Sequence, residues 1–146
     1  MRVLLDVNVL VRANERSMGS ARAVLLALIG QGHTLLICSE MLIELAAVLR
    51  YPRLQMHYGL NDEQIYSYIE FLREACEPVI LNPQLMVPIR DPKDTAVLQT
   101  AVIGEADVIC TLDSDFYASD TVAFCATLGI EVLTDVQLLH KLQRNF

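Results

Sequence analysis

Val3-Leu4-Leu5-Asp6-Val7-Asn8 decides how the chain is read: three apolar residues of strand type run straight into a carboxylate and, two positions on, an amide. In an open parallel sheet with helices on both faces, ligands bind in the crevice beyond the carboxyl ends of the strands, so an acid there is well placed for chemistry. A plainer account has Asp6 capping a helix begun by Val7, Val9 and Leu10, because aspartate is a favoured N-cap. Residues 3–8 alone do not separate the two. What separates them is whether other segments bring acids to the same edge.

Outward from this stretch, strand-like and helix-like segments alternate. Ser20 is placed to cap a helix reaching Gln31, with Val24, Leu25, Leu28 and Ile29 at helical spacing and Gly30 and Gly32 closing it. Residues 35–38, a short continuous apolar run, read as a strand covered on both faces and lying beside the first. Ser39 is a natural N-cap for a helix to about Arg50, which Pro52 ends. On that helix Val48, Met41, Leu45, Leu49 and Leu42 form a core-facing stripe about 120° wide, and Glu44 falls about 40° beyond its margin. Residues 54–60 read as a loop. Asn61 and Gln64 have the spacing of a capping box, opening a helix that carries Ile65, Tyr68, Ile69 and Leu72.

In the second half, residues 79–81 read as a strand following Pro78, and 82–88 as irregular chain. Asp91, Pro92 and Asp94 make a well-formed start for an apolar helix over 95–103, closed by Gly104. A fourth strand over 107–110 opens onto Thr111-Leu112-Asp113-Ser114-Asp115. A helix around 125–128, a fifth strand over 130–133, and a capping box at Thr134 and Gln137 that starts a helix to about Leu142 complete the chain. This alternation predicts a three-layer α/β/α fold with a mainly parallel central sheet of about five strands, in a single domain spanning residues 1–146.

Composition narrows the functional classes. Apolar residues make up 53% of the sequence and charged residues 20%, which points to a dense core. The longest apolar run, 23–29, is far too short to span a bilayer. No basic segment with a small-residue cleavage site precedes the first strand, so the expected compartment is the cytoplasm. The cysteines at 38, 76, 110 and 125 and the histidines at 33, 57 and 140 are dispersed, with no C-x-x-C pair, which argues against a nitrogen or sulfur metal site. A net charge of −7 disfavours a polyanionic partner. Its distribution softens that conclusion: residues 1–60 carry six arginines against four acids, and the excess acid lies beyond them.

Three strand-to-helix junctions, at Asp6, at Asp94 and at Asp113 with Asp115, and one helix margin, at Glu44, each offer a carboxylate. Right-handed crossovers place parallel strand ends on one edge of a sheet, so these acids can converge. Packed carboxylates repel, and their pKa values rise unless a cation intervenes. With oxygen ligands alone the suitable ions are Mg²⁺ and Mn²⁺, whose shells are commonly completed by water and substrate phosphate. The reaction such a centre serves is hydrolysis of a phosphate ester.

Taken in order, residues 3–10, then Ser39-Glu40-Met41-Leu42-Ile43-Glu44-Leu45, then Asp91-Pro92-Lys93-Asp94, then Thr111-Leu112-Asp113-Ser114-Asp115-Phe116 resemble the successive motifs of PIN domains, and the resemblance extends to residues 129–134. It is close to the branch of toxin components from type II toxin-antitoxin pairs, related to the VapC-like ribonucleases. The resemblance implies Mg²⁺- or Mn²⁺-dependent cleavage of RNA, a cognate antitoxin protein as partner and a homodimer. By the same resemblance Asp6, Glu44, Asp94 and Asp113 match the family's acidic quartet, Asp115 matches an additional acid, and Asn8 and Thr111 match polar positions that orient carboxylates or waters. Lys93 departs from the pattern, standing where an acid often precedes the third carboxylate, and Leu112 stands where glycine is frequent.

The resulting expectation is a metal-dependent endoribonuclease with Asp6, Asp94, Asp113 and Asp115 as metal ligands, and Glu44 as ligand or water-orienting base. Arg12, Arg16, Arg50 and Arg53 are candidates for phosphate contacts. One alternative is a catalytically idle PIN fold serving as a binding or assembly module. Another is a phosphatase of the haloacid dehalogenase type, which requires a second aspartate where this chain has Asn8.

Overall fold

A computed structural model describes residues 1–144; positions 145 and 146 of the expected domain lie outside the described residues. The chain forms β1 (Arg2–Leu5), α1 (Val7–Arg12), α2 (Ser20–Gly30), β2 (Thr34–Ile37), α3 (Ser39–Leu49), α4 (Pro52–His57), α5 (Asp62–Ala75), β3 (Glu77–Pro78), α6 (Pro92–Ile103), β4 (Val108–Cys110), a 3₁₀ turn (Ser114–Tyr117), α7 (Ser119–Thr127), β5 (Glu131–Leu133) and α8 (Asp135–Arg144). The strands lie in the order β3-β2-β1-β4-β5, and every pairing is parallel. The sheet expected to be mainly parallel is thus wholly so among the described residues.

β1 is the central strand. From it the chain winds outward to β2 and β3, returns through α6, and winds the other way to β4 and β5. The crevice between the carboxyl ends of β1 and β4 is therefore the topological switch point, the place where such sheets bind ligands. Helices cover the sheet: α6 packs on β1 and β2, α2 packs on α8 and β2, and α3 packs on α1 and α5. Val3, Leu4 and Leu5, Leu35 to Ile37, and Val108 to Cys110 are all buried. Full burial of each such aliphatic side chain is worth roughly 1.5–3 kcal/mol. That burial on both faces is why the inner strands read as unbroken apolar runs rather than alternating ones.

Several boundaries differ from expectation for identifiable reasons. Pro52 begins a helix instead of only ending one: Tyr51 is extended, and proline at the first position of α4 has the φ a helix needs. Residues 54–57 of the segment expected to be a loop accordingly belong to α4, while 58–60 form the connection to α5. The third strand is Glu77–Pro78, paired with Leu36 and Ile37, and not residues 79–81. Val79 gives one more N–H to the Ile37 carbonyl at 2.8 Å, after which the chain leaves the sheet with Ile80 89% exposed. Proline is tolerated there because β3 is an edge strand. Gly19, not Ser20, caps α2, and the Ser20 hydroxyl donates to Asp135 instead. Cys38 takes the N-cap of α3 ahead of Ser39. α7 starts six residues before the expected 125 because its only buried residues are Thr121 and Cys125, too sparse to show a helical period. Both capping boxes form, at Asn61 with Gln64 and at Thr134 with Gln137.

Gly104 ends α6 without a positive φ; the left-handed residue is Glu105, at φ 53°. What requires glycine at 104 is proximity, since a Cβ there would meet Leu36 Cδ1 at 2.8 Å and the Thr100 carbonyl at 2.9 Å. Gly104→Ala is expected to lower the unfolding free energy by about 1–3 kcal/mol through overpacking. Urea denaturation checks this, and an unchanged midpoint would show that Leu36 gives way.

Candidate functional site

The switch-point crevice is acidic by construction. Asp6 directly follows β1, where it caps α1: its Oδ1 accepts from the Val7 N–H at 2.7 Å. Its Oδ2 accepts from the Thr111 hydroxyl at 2.7 Å and from Asn8 Nδ2 at 3.2 Å. Asp6 therefore both caps α1 and lines the crevice. Thr111, wholly buried after β4, takes the Asp113 N–H on its Oγ1 at 3.0 Å, and Asn8 Oδ1 takes the Leu112 N–H at 3.4 Å. Asn8 and Thr111 thus tie the end of β1 to the loop after β4. Leu112 adopts no positive φ, so the loop closes without the glycine that often stands at this place.

Asp94 arrives from a third direction, in the first turn of α6, whose N-cap is Asp91. It is 7% exposed, and its Oδ2 is the one buried side-chain oxygen or nitrogen among the described residues that has no hydrogen-bond partner. Asp6, Asp94 and Asp113 each bring a carboxylate oxygen to within 4.8 Å of the other two. They line a cavity of about 210 Å³ together with Glu44, Asp91 and Lys93, between walls that include Val7, Val11 and Val97. Glu44 stands at the side of this group, with its Oε1 3.9 Å from Lys93 Nζ.

Burial and mutual repulsion show in the acidities. Asp6 is pushed up to about 6, chiefly by burial and further by the charges of Asp113 and Glu44, against the opposing hydrogen bonds from Thr111 and Val7. Burial also raises Asp94 far above the ordinary carboxylate range, and the neighbouring Asp113 carboxylate adds to the shift. Such a cluster becomes comfortable by sharing protons or by holding a cation. An unpartnered buried carboxylate oxygen beside two more acids, with no nitrogen or sulfur donor among them, suits a small hard divalent ion.

The remaining expected site residues divide. Asp115 does not join the cluster: it is exposed, and it meets Asp113 only by giving its backbone N–H to Oδ1 at 2.9 Å. In the 3₁₀ turn successive residues rotate by about 120°, so two positions on from Asp113 the side chain leaves the crevice. Arg12 and Arg53 line a second cavity of about 650 Å³, which shares Asn8, Val11 and Val48 with the acidic one. Arg12 also lies 3.5 Å from Asp135. Arg16 and Arg50 have structural roles: Arg16 donates to the Tyr58 carbonyl at 2.9 Å, and Arg50 to Asp62 at 3.1 Å and to the Ala46 carbonyl at 3.0 Å.

Residues 2–115 match the PIN domain family. The chain belongs to that family. The matched span contains every acid of the crevice, whereas α7, β5 and α8 of this PIN domain lie beyond it. Among solved structures, it is similar to VapBC2 from Rickettsia felis bound to a DNA fragment from their promoter, with a TM-score of 0.60, 15% identity, and coverage of 92% of this chain and 98% of that one. At that identity the likeness concerns the fold. No curated protein matches the sequence.

Two residues of the PIN domain's crevice escaped sequence reasoning. Asp91 was legible only as an N-cap, although its three-residue spacing from Asp94 on one helix start is the signal that it faces the same cavity. Lys93 was visible as a departure from the family pattern, with nothing in the sequence to indicate that it would meet Glu44, 49 positions earlier.

Proposed function

We propose that this PIN domain, acting as a single unit over residues 1–146, is a Mg²⁺- or Mn²⁺-dependent endoribonuclease and the toxin of a type II toxin-antitoxin pair. The observation that carries the reading is the buried Asp94 carboxylate, whose Oδ2 has no partner, converging with the carboxylates of Asp6 and Asp113 at the switch point. These three residues would hold the ion, which when bound supplies Lewis-acid polarisation of a phosphodiester and a lowered pKa for water.

The chain's own groups have separable tasks. Thr111 and Asn8 fix the Asp6 carboxylate by donating to Oδ2, and the Val7 N–H fixes Oδ1, so Asp6 is held in one orientation before substrate arrives. Glu44, at the side of the cluster, is positioned to orient a water and accept its proton. Arg12 and Arg53, in the adjoining cavity, would bind phosphates flanking the scissile one. The apolar walls contributed by Val11, Val48 and Leu54 offer a place for a base or ribose.

Membership of the PIN family and the structural likeness to VapBC2 support an antitoxin as partner. Exposed Ile43, Met56 and Tyr66, on α3, α4 and α5, support a homodimer or an antitoxin contact through those helices. No described helix is long and apolar enough to cross a membrane, and a substrate of cellular RNA goes with the cytoplasm. The phosphatase alternative lacks its second acid, since Asn8 is engaged as an amide on both sides. An idle binding module would have no use for a complete acid quartet.

The test is incubation of structured and single-stranded RNA with the protein and Mn²⁺, comparing wild type with Asp6→Asn. Cleavage by the wild type alone is expected. Equal cleavage by both would mean a contaminant and would end the nuclease reading.

A further inference from the structure

Among the described residues, Lys93 is the one cation lining the acidic cavity, alongside five carboxylates. Its backbone N–H is held by Asp91 Oδ1 at 3.0 Å as part of the α6 cap, and its ammonium lies 3.9 Å from Glu44 Oε1. Glu44 is also the acid of the expected quartet that stands outside the converging group of Asp6, Asp94 and Asp113. The Lys93 side chain is 67% exposed, so the pair contributes little to folding. Its consequence is for charge. Two-ion phosphodiesterase sites hold their ions about 3.5–4 Å apart and need carboxylates on both sides of the pair. Here the acid that would serve a second ion faces an ammonium instead.

We propose that Lys93 restricts the crevice to a single divalent ion by engaging Glu44. The proposal rests on the metal-dependent reading given above and adds the number of ions and the residue that sets it. Lys93 is a positioning residue in this scheme: it acts on Glu44 and on the local field, and the three-acid group of Asp6, Asp94 and Asp113 is left intact.

Calorimetric titration of the full chain with Mn²⁺ alone, at neutral pH and without RNA, reads the ion count directly. The wild type is expected to take one ion, and Lys93→Arg one. Lys93→Gln frees Glu44 and is expected to take two, with the first bound roughly five- to tenfold tighter because a repelling unit charge has gone. The double variant Lys93→Gln/Glu44→Gln should return to one, a reversal that a merely structural role for Lys93 would not produce. Two ions in the wild type, or one in Lys93→Gln, would overturn the proposal while leaving the metal centre standing. No ion in the wild type would overturn the metal centre and this inference with it.

Discussion

Asp94→Asn is expected to cleave RNA at least about a thousandfold more slowly than the wild type while melting at a higher temperature in chelator. Both effects have one source. Asp94 Oδ2 is buried without a hydrogen-bond partner, an arrangement that costs stability unless a cation or a proton satisfies it. The carboxylate is raised far above its ordinary range by that burial and by Asp113. Asparagine removes the charge and hence the repulsion, and with it a donor to any divalent ion. Activity and metal-free stability should therefore move in opposite directions, as they do where a site is built at the expense of the fold. Gel-based cleavage assays and thermal melts on the same preparations check the pair. A variant that is inactive and also less stable than wild type in chelator would show that Asp94 is structural.

In chelator, the wild type should lose stability as pH rises from about 4 to above 6, opposite to the usual behaviour of a protein whose acids are salt-bridged. Asp6 titrates at about 6 in the folded chain, against 3.8 as its ordinary value. A carboxyl with a raised folded pKa binds more proton when native than when unfolded. Its stabilising contribution is therefore complete below the unfolded pKa and is lost as pH rises through the folded one. For Asp6 the loss is about 3 kcal/mol. Asp94 is shifted in the same direction and carries the decline to higher pH. Asp6→Asn should flatten the profile over that window. Saturating Mn²⁺ should reverse its slope, because an ion that binds the deprotonated cluster stabilises the native state by linkage. Denaturation midpoints across pH, with and without Mn²⁺, measure this. A metal-free profile that rises through the same window would show that Asp6 is not in the strained, desolvated state described.

The strands were legible because two-sided burial leaves an unmistakable trace. Val3 to Leu5, Leu35 to Ile37 and Val108 to Cys110 have no polar face to interrupt them. β3 was misplaced because a two-residue edge strand, exposed at Glu77 and Pro78, carries no such trace, while the neighbouring apolar residues 79–81 imitate one. The helix caps at Asp6, Asn61, Asp91 and Thr134 were legible because capping is local chemistry, settled within three or four residues. Residues 54–57 were misread because Pro52 both ends one helix and begins the next, and only the extended Tyr51 between them shows which.

The sequence by itself determined that acids would stand beyond strand ends and at a helix start, since Asp6 follows an apolar run directly, Asp113 stands three residues past another, and Asp94 falls in the first turn of a capped helix. Chain order and right-handed crossovers put them on one edge of a parallel sheet. Distance was another matter. That β1 and β4 are neighbours, which brings Asp6 and Asp113 together across a Thr111 hydroxyl, depends on which strand pairs with which, and pairing is decided by the packing of whole layers. Only the tertiary structure excluded Asp115 and drew in Asp91, because the 3₁₀ turn carries a side chain two positions from Asp113 out of the crevice, whereas the helix start keeps one three positions from Asp94 on the cavity side. It likewise drew Arg16 and Arg50 into structural contacts and left Arg12 and Arg53 beside the crevice. Residue type and local order specify which groups reach an edge, and long-range packing, through strand order and helix rotation, specifies which of them meet.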